Sequence, residues 1–590
     1  MRTSPSRPLA FLAEAVCLLA LVLACVKLGR GVEAVLDLAP WDEADYLHRA
    51  LTLPESGLPD PEWGPLYSLW YFALSYVWPD PVALYYANTR WLVLLTSVAG
   101  YALLRQVGAR PGFALAGSAV YLLSLAPHIQ PRPTLLALLI ILVASCAACR
   151  AATPEGAWGR LGAGLLLASF ARPEGFLSFL SVSALLGLQL ARRVRQEPAR
   201  RRHAWGTAVA YAGLFLLLVG LLGNPFGNTS NRRFYAFCQH FADGLARRTG
   251  QVQVDPWFRC EQVLQPIFGN ASTLGDALRA NPGAFLAHVR WNLERLPDES
   301  LKVFTYGYGD VPPMPRNGAW TREQVAHVLL LAVVLALPLG AFARRGRKAI
   351  QALATPRVAW SAVAAAVVIL PGIVSSVLFQ PRQHYLVIPG VMGLALLALM
   401  KHALDVPGPH PVEAPSRGVG SVGALGGAAL LAVLVMLAVP GPAPAPDGRS
   451  APRRELLQQV RAVRALGLGS HVAAGGSLGV LDTQGGLPVY LGVPFRRVPP
   501  WTRRPGESFT QYLRRERIEL VFLDHKLREE PRFANDPSLE SFLAAPGAFG
   551  YAMRHLPGTD AVLALPATWA ISGAGAVPEG GHTGTPHASP

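Results

Sequence analysis

Charge is scarce in this sequence. Asp, Glu, Lys and Arg together make up 15% of its 590 residues, whereas 51% are hydrophobic, and the mean hydropathy is +0.30. That scarcity excludes an ordinary soluble domain and fits many membrane spans with some water-soluble mass. Acidic residues are the rarer sign, 37 against 53 Lys and Arg, which leaves a net charge of +16. Such a surplus can mark a nucleic-acid binder. Here the basic residues cluster in short loops between apolar stretches, which is how positive-inside topology looks, so nucleic acid is not an expected partner. Cysteine is also sparse, with six in all. Cys17, Cys25, Cys146 and Cys149 lie in apolar segments and read as packing residues; the CxxC spacing of the last two has no His or further Cys nearby. Cys238 and Cys260 share one large loop and can pair in an oxidising compartment. There is no Gly-rich phosphate loop or nucleotide fingerprint, and no clear internal repeat of the kind transporters often carry.

Apolar runs are abundant. They fall near 9–28, 82–104, 112–127, 133–149, 159–171, 174–191, 205–223, 324–343, 358–379, 385–400 and 420–440. The first run reads as an uncleaved span: Val22-Leu23-Ala24-Cys25 loosely resembles a lipoprotein cleavage box, but Glu14 interrupts the apolar region a signal would need. The stretch 65–78, with Trp70, Tyr71, Tyr76 and Trp78, is too short for a confident span and suits a helix at the interface. With the N-terminus inside, the strong basic clusters near Arg105, Arg150, Arg192–Arg202, Arg344–Lys348 and Lys401 all fall on one side. The outer side then receives the acidic segment 29–81, the turns near 128–132, 172–174 and 380–384, the long loop 224–323, and everything after 441.

The expected fold is therefore mainly α: a polytopic helical membrane protein of about 11 spans with a small α/β extracytoplasmic C-terminal domain. Residues 1–441 form the membrane domain, 442–449 a Pro-rich linker, 450–570 the α/β domain and 571–590 a disordered tail. Within the α/β domain, Arg453–Leu466 and Ser508–Glu516 read as helices. His471-Val472-Ala473-Ala474, Val489-Tyr490-Leu491 and Ile518–Leu523 read as buried strands.

Four polar sets stand at outer ends of spans: Asp42-Glu43; His128, Gln130 and Arg132; Arg172-Pro173-Glu174; and Gln380-Pro381-Arg382-Gln383-His384-Tyr385. Ionisable residues there are costly unless paired or functional. A carboxylate base beside several cationic groups suits a reaction between a lipid phosphate and a nucleophile, since the guanidinium fork makes paired charge-assisted bonds to phosphate. Plainer readings stay open. Asp42 and Glu43 also read as interfacial acids, Arg172 and Glu174 as a structural ion pair, Arg382 as a snorkelling boundary residue and His128 as a satisfied interfacial histidine.

Four motifs in order carry a resemblance: Asp42-Glu43-Ala44-Asp45-Tyr46-Leu47, Gly64-Pro65-Leu66-Tyr67-Ser68-Leu69, Arg172-Pro173-Glu174-Gly175 and Arg382-Gln383-His384-Tyr385-Leu386-Val387-Ile388-Pro389. Together the pattern resembles the GT-C-type membrane glycosyltransferases, which include the protein O-mannosyltransferases and lipid A aminoarabinose transferases. The chain departs from that pattern where Gly64 replaces a second proline or histidine, where Gln383-His384 split the Arg-Tyr pair, and where the second outer turn offers His128 and Arg132 instead of an acid.

The resemblance implies transfer of a sugar from a polyprenyl-phosphate carrier to a lipid, glycan or protein acceptor on the extracytoplasmic face, with inversion. Asp42 is then the base and Glu43 its companion. Arg172, Arg382 and Arg132 neutralise the departing phosphate, His384 and Tyr385 position it, and His128, Glu174 and Tyr67 line the cavity. No cofactor is called for; a divalent cation bridging carboxylate and phosphate is conceivable, though a pair of acids alone does not require one. The Ala, Arg, Pro and Gly bias suggests a bacterial inner membrane with a periplasmic site. The alternatives are a transporter or flippase of lipid-linked saccharide and a non-catalytic envelope assembly protein.

Overall fold

A computed structural model describes residues 6–197, 201–227, 231–250, 255–307, 320–345, 349–351, 354–405, 419–440, 455–472 and 476–569. The Pro-rich linker 442–449 and the tail 571–590 lie outside the described residues.

Each of the eleven apolar runs is a helix: Ser6–Arg30, Pro81–Gln106, Pro111–Leu123, Pro133–Cys149, Pro154–Ser169, Phe176–Gln196, Arg201–Leu222, Arg322–Arg345, Pro356–Leu378, Gln383–Asp405 and Val419–Ala438. Proline opens several of them, at Pro81, Pro111, Pro133, Pro154 and Pro356, where its missing N–H costs nothing. Among the described residues, six helices are long and apolar enough to cross a bilayer. The chain is an integral membrane protein.

The charges inside the first helix have partners. Glu14 accepts from Arg105 Nε at 2.8 Å and from the Tyr101 hydroxyl at 2.9 Å, so the acid that breaks the first apolar run is paired. At the other end of that helix, Lys27 Nζ donates to the carbonyls of Met436 (2.9 Å) and Val439 (2.7 Å). It thereby satisfies terminal carbonyls of the eleventh span. The first and last of these eleven helices thus run the same way.

The long loop folds into helices Arg232–Thr249, Cys260–Phe268, Leu274–Ala280 and Pro282–Thr305. Phe237, Phe241, Leu264, Phe268 and Phe285 make their core, and Cys238 is disulfide-bonded to Cys260. The interfacial stretch is the helix Pro65–Ser75.

Compact packing divides the chain into two units: Met1–Val35, Arg49–Leu74 and Tyr86–Gly448 in one, Leu36–His48, Ser75–Tyr85 and Arg449–Pro590 in the other. The second holds a five-stranded sheet of order β2-β1-β3-β5-β4. Its strands are β1 (Leu478–Leu481), β2 (Phe495–Val498), β3 (Ile518–Leu523), β4 (Tyr551–His555) and β5 (Val562–Pro566). β1 pairs in parallel with β2 and β3, and β5 pairs antiparallel with β3 and β4. The expected helices appear as Glu455–Ala465 and Phe509–Arg515, the latter opened by a capping box between Ser508 and Gln511.

Two expected strands are corrected. His471 ends a 3-10 turn, Leu468–His471, and Val472 caps it; Ala473 and Ala474 lie outside the described residues. Val489-Tyr490-Leu491 belongs to the helix Leu487–Leu491, opened by Pro488. A buried run this short has the same apolar signature in either state, and proline at a first turn decides for helix.

Candidate functional site

The third polar set is built on a turn and fixed from below. The fifth span ends at Ser169, and Arg172 precedes the 3-10 turn Pro173–Gly175. Leu66 N donates to the Phe170 carbonyl at 3.0 Å. Gly64 adopts φ +62°, and a Cβ there would lie 2.4 Å from the Ala171 carbonyl oxygen. Glycine at 64 is therefore a packing requirement: the interfacial helix must start against the turn that presents Arg172. Behind it, buried Tyr67 accepts from Asn88 Nδ2 at 2.8 Å, and Trp70 Nε1 donates to Asn88 Oδ1 at 2.8 Å.

The fourth set is fixed by the long loop. Asn292 Nδ2 donates to the Val377 and Phe379 carbonyls (2.9 and 3.1 Å), and His288 Nε2 donates to the Phe379 carbonyl (2.8 Å). Gln380 is buried, and its Nε2 donates to Asp243 Oδ2 at 2.8 Å. That bond fixes the amide, so Gln380 Oε1 must accept from His240 Nδ1 at 3.0 Å. Burial pushes the His240 and His288 imidazoles down to about 3 and about 4, so both are neutral donors at physiological pH. Two residues on, the Arg382 guanidinium lies 4.7 Å from the Trp257 ring centroid.

These turns bring five of the expected residues together. Arg172 Nε donates to Glu174 at 2.7 Å, and its guanidinium lies 5.5 Å from the Tyr385 ring centroid. The His384 and Tyr385 rings are 4.1 Å apart. His384 is within electrostatic reach of Arg172, Arg382 and His240. Tyr385 feels Arg172, Glu174, Arg382 and Arg232. Arg172, Glu174, His384 and Tyr385 line one small cavity of about 30 Å³ with Thr134, Ser178 and Gly372. Arg132 is fully buried at the head of the fourth span beside His128, two residues before Thr134.

Arg232 and His240 were not expected here. Arg232 lies 3.5 Å from the Trp63 ring centroid and donates to the Glu62 carbonyl at 3.3 Å. The local signal for it is weak, an Arg-Arg pair opening a loop helix. His240 gives no local signal, since its partner Gln380 is 140 residues away.

Asp42 and Glu43 belong to the other unit. They open the helix Asp42–Leu51, whose first turn also holds Asp45. Acids there complement the helix dipole, which is a structural reason for their presence. Glu43 is buried at 1% exposure and Asp42 is half-buried. Among the described residues no group of three or more His, Cys, Asp or Glu side chains is disposed to hold a metal ion.

No protein-family model and no curated protein matches the chain. Two solved structures are similar. One is the archaeal oligosaccharyltransferase AglB from Archaeoglobus fulgidus, described in complex with an inhibitory peptide and a dolichol-phosphate (TM-score 0.39, 12% identity, 95% of this chain and 74% of that one). The other is ArnT from Cupriavidus metallidurans in the apo state (TM-score 0.35, 14% identity, 92% of this chain and 97% of that one).

Proposed function

We propose that the protein transfers a sugar from a polyprenyl-phosphate carrier to a lipid, glycan or protein acceptor on the outer, periplasmic face of a bacterial inner membrane. The observation that carries this reading is the approach of Arg172 and Arg382 to His384 and Tyr385, with Arg232 also near Tyr385 and Glu174 bonded to Arg172. Guanidinium groups suit a phosphate because their planar fork makes paired charge-assisted bonds to its oxygens.

In the proposed reaction Asp42 takes the proton from the acceptor hydroxyl or amine. The freed lone pair bonds to the anomeric carbon from the face opposite the phosphate. The carbon–oxygen bond to phosphate breaks, its electron pair leaves on polyprenyl phosphate, and the configuration inverts. Arg172 and Arg382, with Arg132, stabilise the charge that develops on the leaving group. His384 and Tyr385 position it, and His128, Tyr67 and Glu174 shape the cavity. Glu43 orients Asp42 or the acceptor. The assignment of Asp42 rests on chemistry and on the side of the membrane that the charge rule gives it.

The test is release of free polyprenyl phosphate from synthetic polyprenyl-phosphate sugars by the purified protein in proteoliposomes. Wild type should release it, and Arg382→Ala and Arg172→Ala should each lower the rate by about 10²- to 10³-fold. Equal rates in all three would contradict the phosphate role.

A further inference from the structure

The C-terminal unit has the strand order that, in open α/β sheets, sets the ligand position at a switch point. The strand order β2-β1-β3 means that the chain leaves β1 on one side for β2 and returns on the other for β3. The carboxyl ends of β1 and β3 therefore flank a topological switch point, the usual ligand position in such sheets. The chain leaves β1 through Asp482-Thr483-Gln484-Gly485-Gly486 and leaves β3 through Asp524. Gln484 Nε2 donates to Asp524 Oδ2 at 2.9 Å, which ties the two exits together.

The chain's own first outer segment docks at this switch point. Trp41, held at φ +60°, donates its N–H to the Gln484 carbonyl at 3.2 Å. Lys526 Nζ lies 5.3 Å from the Trp41 ring centroid. Gly486 packs against Pro40, and the buried Tyr490 hydroxyl donates to the Ala39 carbonyl at 2.7 Å. Upstream, Asp37 accepts from Leu456 N and Leu457 N, both at 3.0 Å, and so caps the helix Glu455–Ala465. Downstream, Arg497 on β2 is ion-paired with Asp45, with only 12% and 21% of the two side chains exposed. Gly485 (φ +69°) leaves the space that the Arg497 guanidinium fills. Residues 36–40 have no regular structure of their own, and the ten-residue helix after them is too short to be stable alone. Contacts at 37, 39, 40, 41 and 45 bracket Asp42 on both sides.

We infer that the C-terminal domain is the holder of the Asp42 segment, which it grips at its switch point, with Arg497 as a positioning residue acting through Asp45. This rests on the proposed role of Asp42 in transfer, but the grip itself can be measured without turnover.

The experiment uses the full-length protein in nanodiscs. Amide hydrogen exchange of residues 41–48 is compared among wild type, Arg497→Ala and the milder Arg497→Lys, with β3 as the internal reference for a folded domain. Donor kcat and KM are measured on the same samples. The expected result in Arg497→Ala is exchange at 41–48 faster by about tenfold or more with β3 unchanged, and a kcat lower by about 10²-fold with KM little altered. Arg497→Lys, which keeps the charge but loses the fork, should fall between. Unchanged exchange at 41–48 in both variants would overturn the inference, and so would loosened exchange with an unchanged kcat. If wild type turns over no donor, the proposed reaction fails, and the exchange arm alone still decides whether the domain grips the segment.

Discussion

Single residues set the turns on which the candidate site stands. Gly64→Ala places a methyl 2.4 Å from the Ala171 carbonyl at a positive φ, so it should destabilise the helical unit by about 1–3 kcal/mol. Thermal unfolding in detergent checks this, and a stabilised variant would contradict the packing at Arg172. The sequence showed Gly64 only as a departure from a motif; its reason is a carbonyl more than 100 residues away. Asp482 offers a pH test. Burial pushes its carboxyl from 3.8 up to about 6, against N–H bonds from Leu487 and Gln484. A raised acid favours the fold most when protonated, so its contribution is complete below about pH 4 and lost as pH rises through about 6. Asp482→Asn should flatten the fall in stability of the C-terminal unit across that window, measured by denaturant melts at stepped pH. An unaltered slope would exclude Asp482 as its source.

At the scale of elements, the long apolar helices were legible because a membrane span announces itself in some twenty residues. In the α/β domain the strand Ile518–Leu523 and the helix Phe509–Arg515 were legible too, but other short elements were not. Leu478–Leu481 is a four-residue strand among glycines, and Leu487–Leu491 is an apolar helix of one turn; neither is long enough to show a period. The long outer loop was readable as a loop but not as a helical subdomain that fixes the Gln380 turn. Its disulfide closes a separation of 22 residues. Opening it with Cys238→Ser and Cys260→Ser together should lower the stability of this subdomain by about 3 kcal/mol. Faster exchange at 232–268, with the Pro81–Gln106 helix unaffected, would report that loss; equal protection would show that the aromatic core suffices.

For the whole molecule, what was legible was the class and the order of polar turns, because both are written in local composition. What was not legible was which distant segments share a unit. Nothing near Asp45 points to Arg497, 452 residues on. The basic clusters predict a sidedness in which single cysteines placed in 455–569 should react with an impermeant reagent added outside, while those at 192–197 should not. The central claim is chemical, and the most direct measurement is release of free polyprenyl phosphate from synthetic polyprenyl-phosphate sugars in proteoliposomes, wild type against Asp42→Asn. Release by wild type, with a loss of about 10²- to 10⁴-fold in the variant at intact folding and insertion, is the predicted result. Equal release by both proteins would contradict Asp42 as the base.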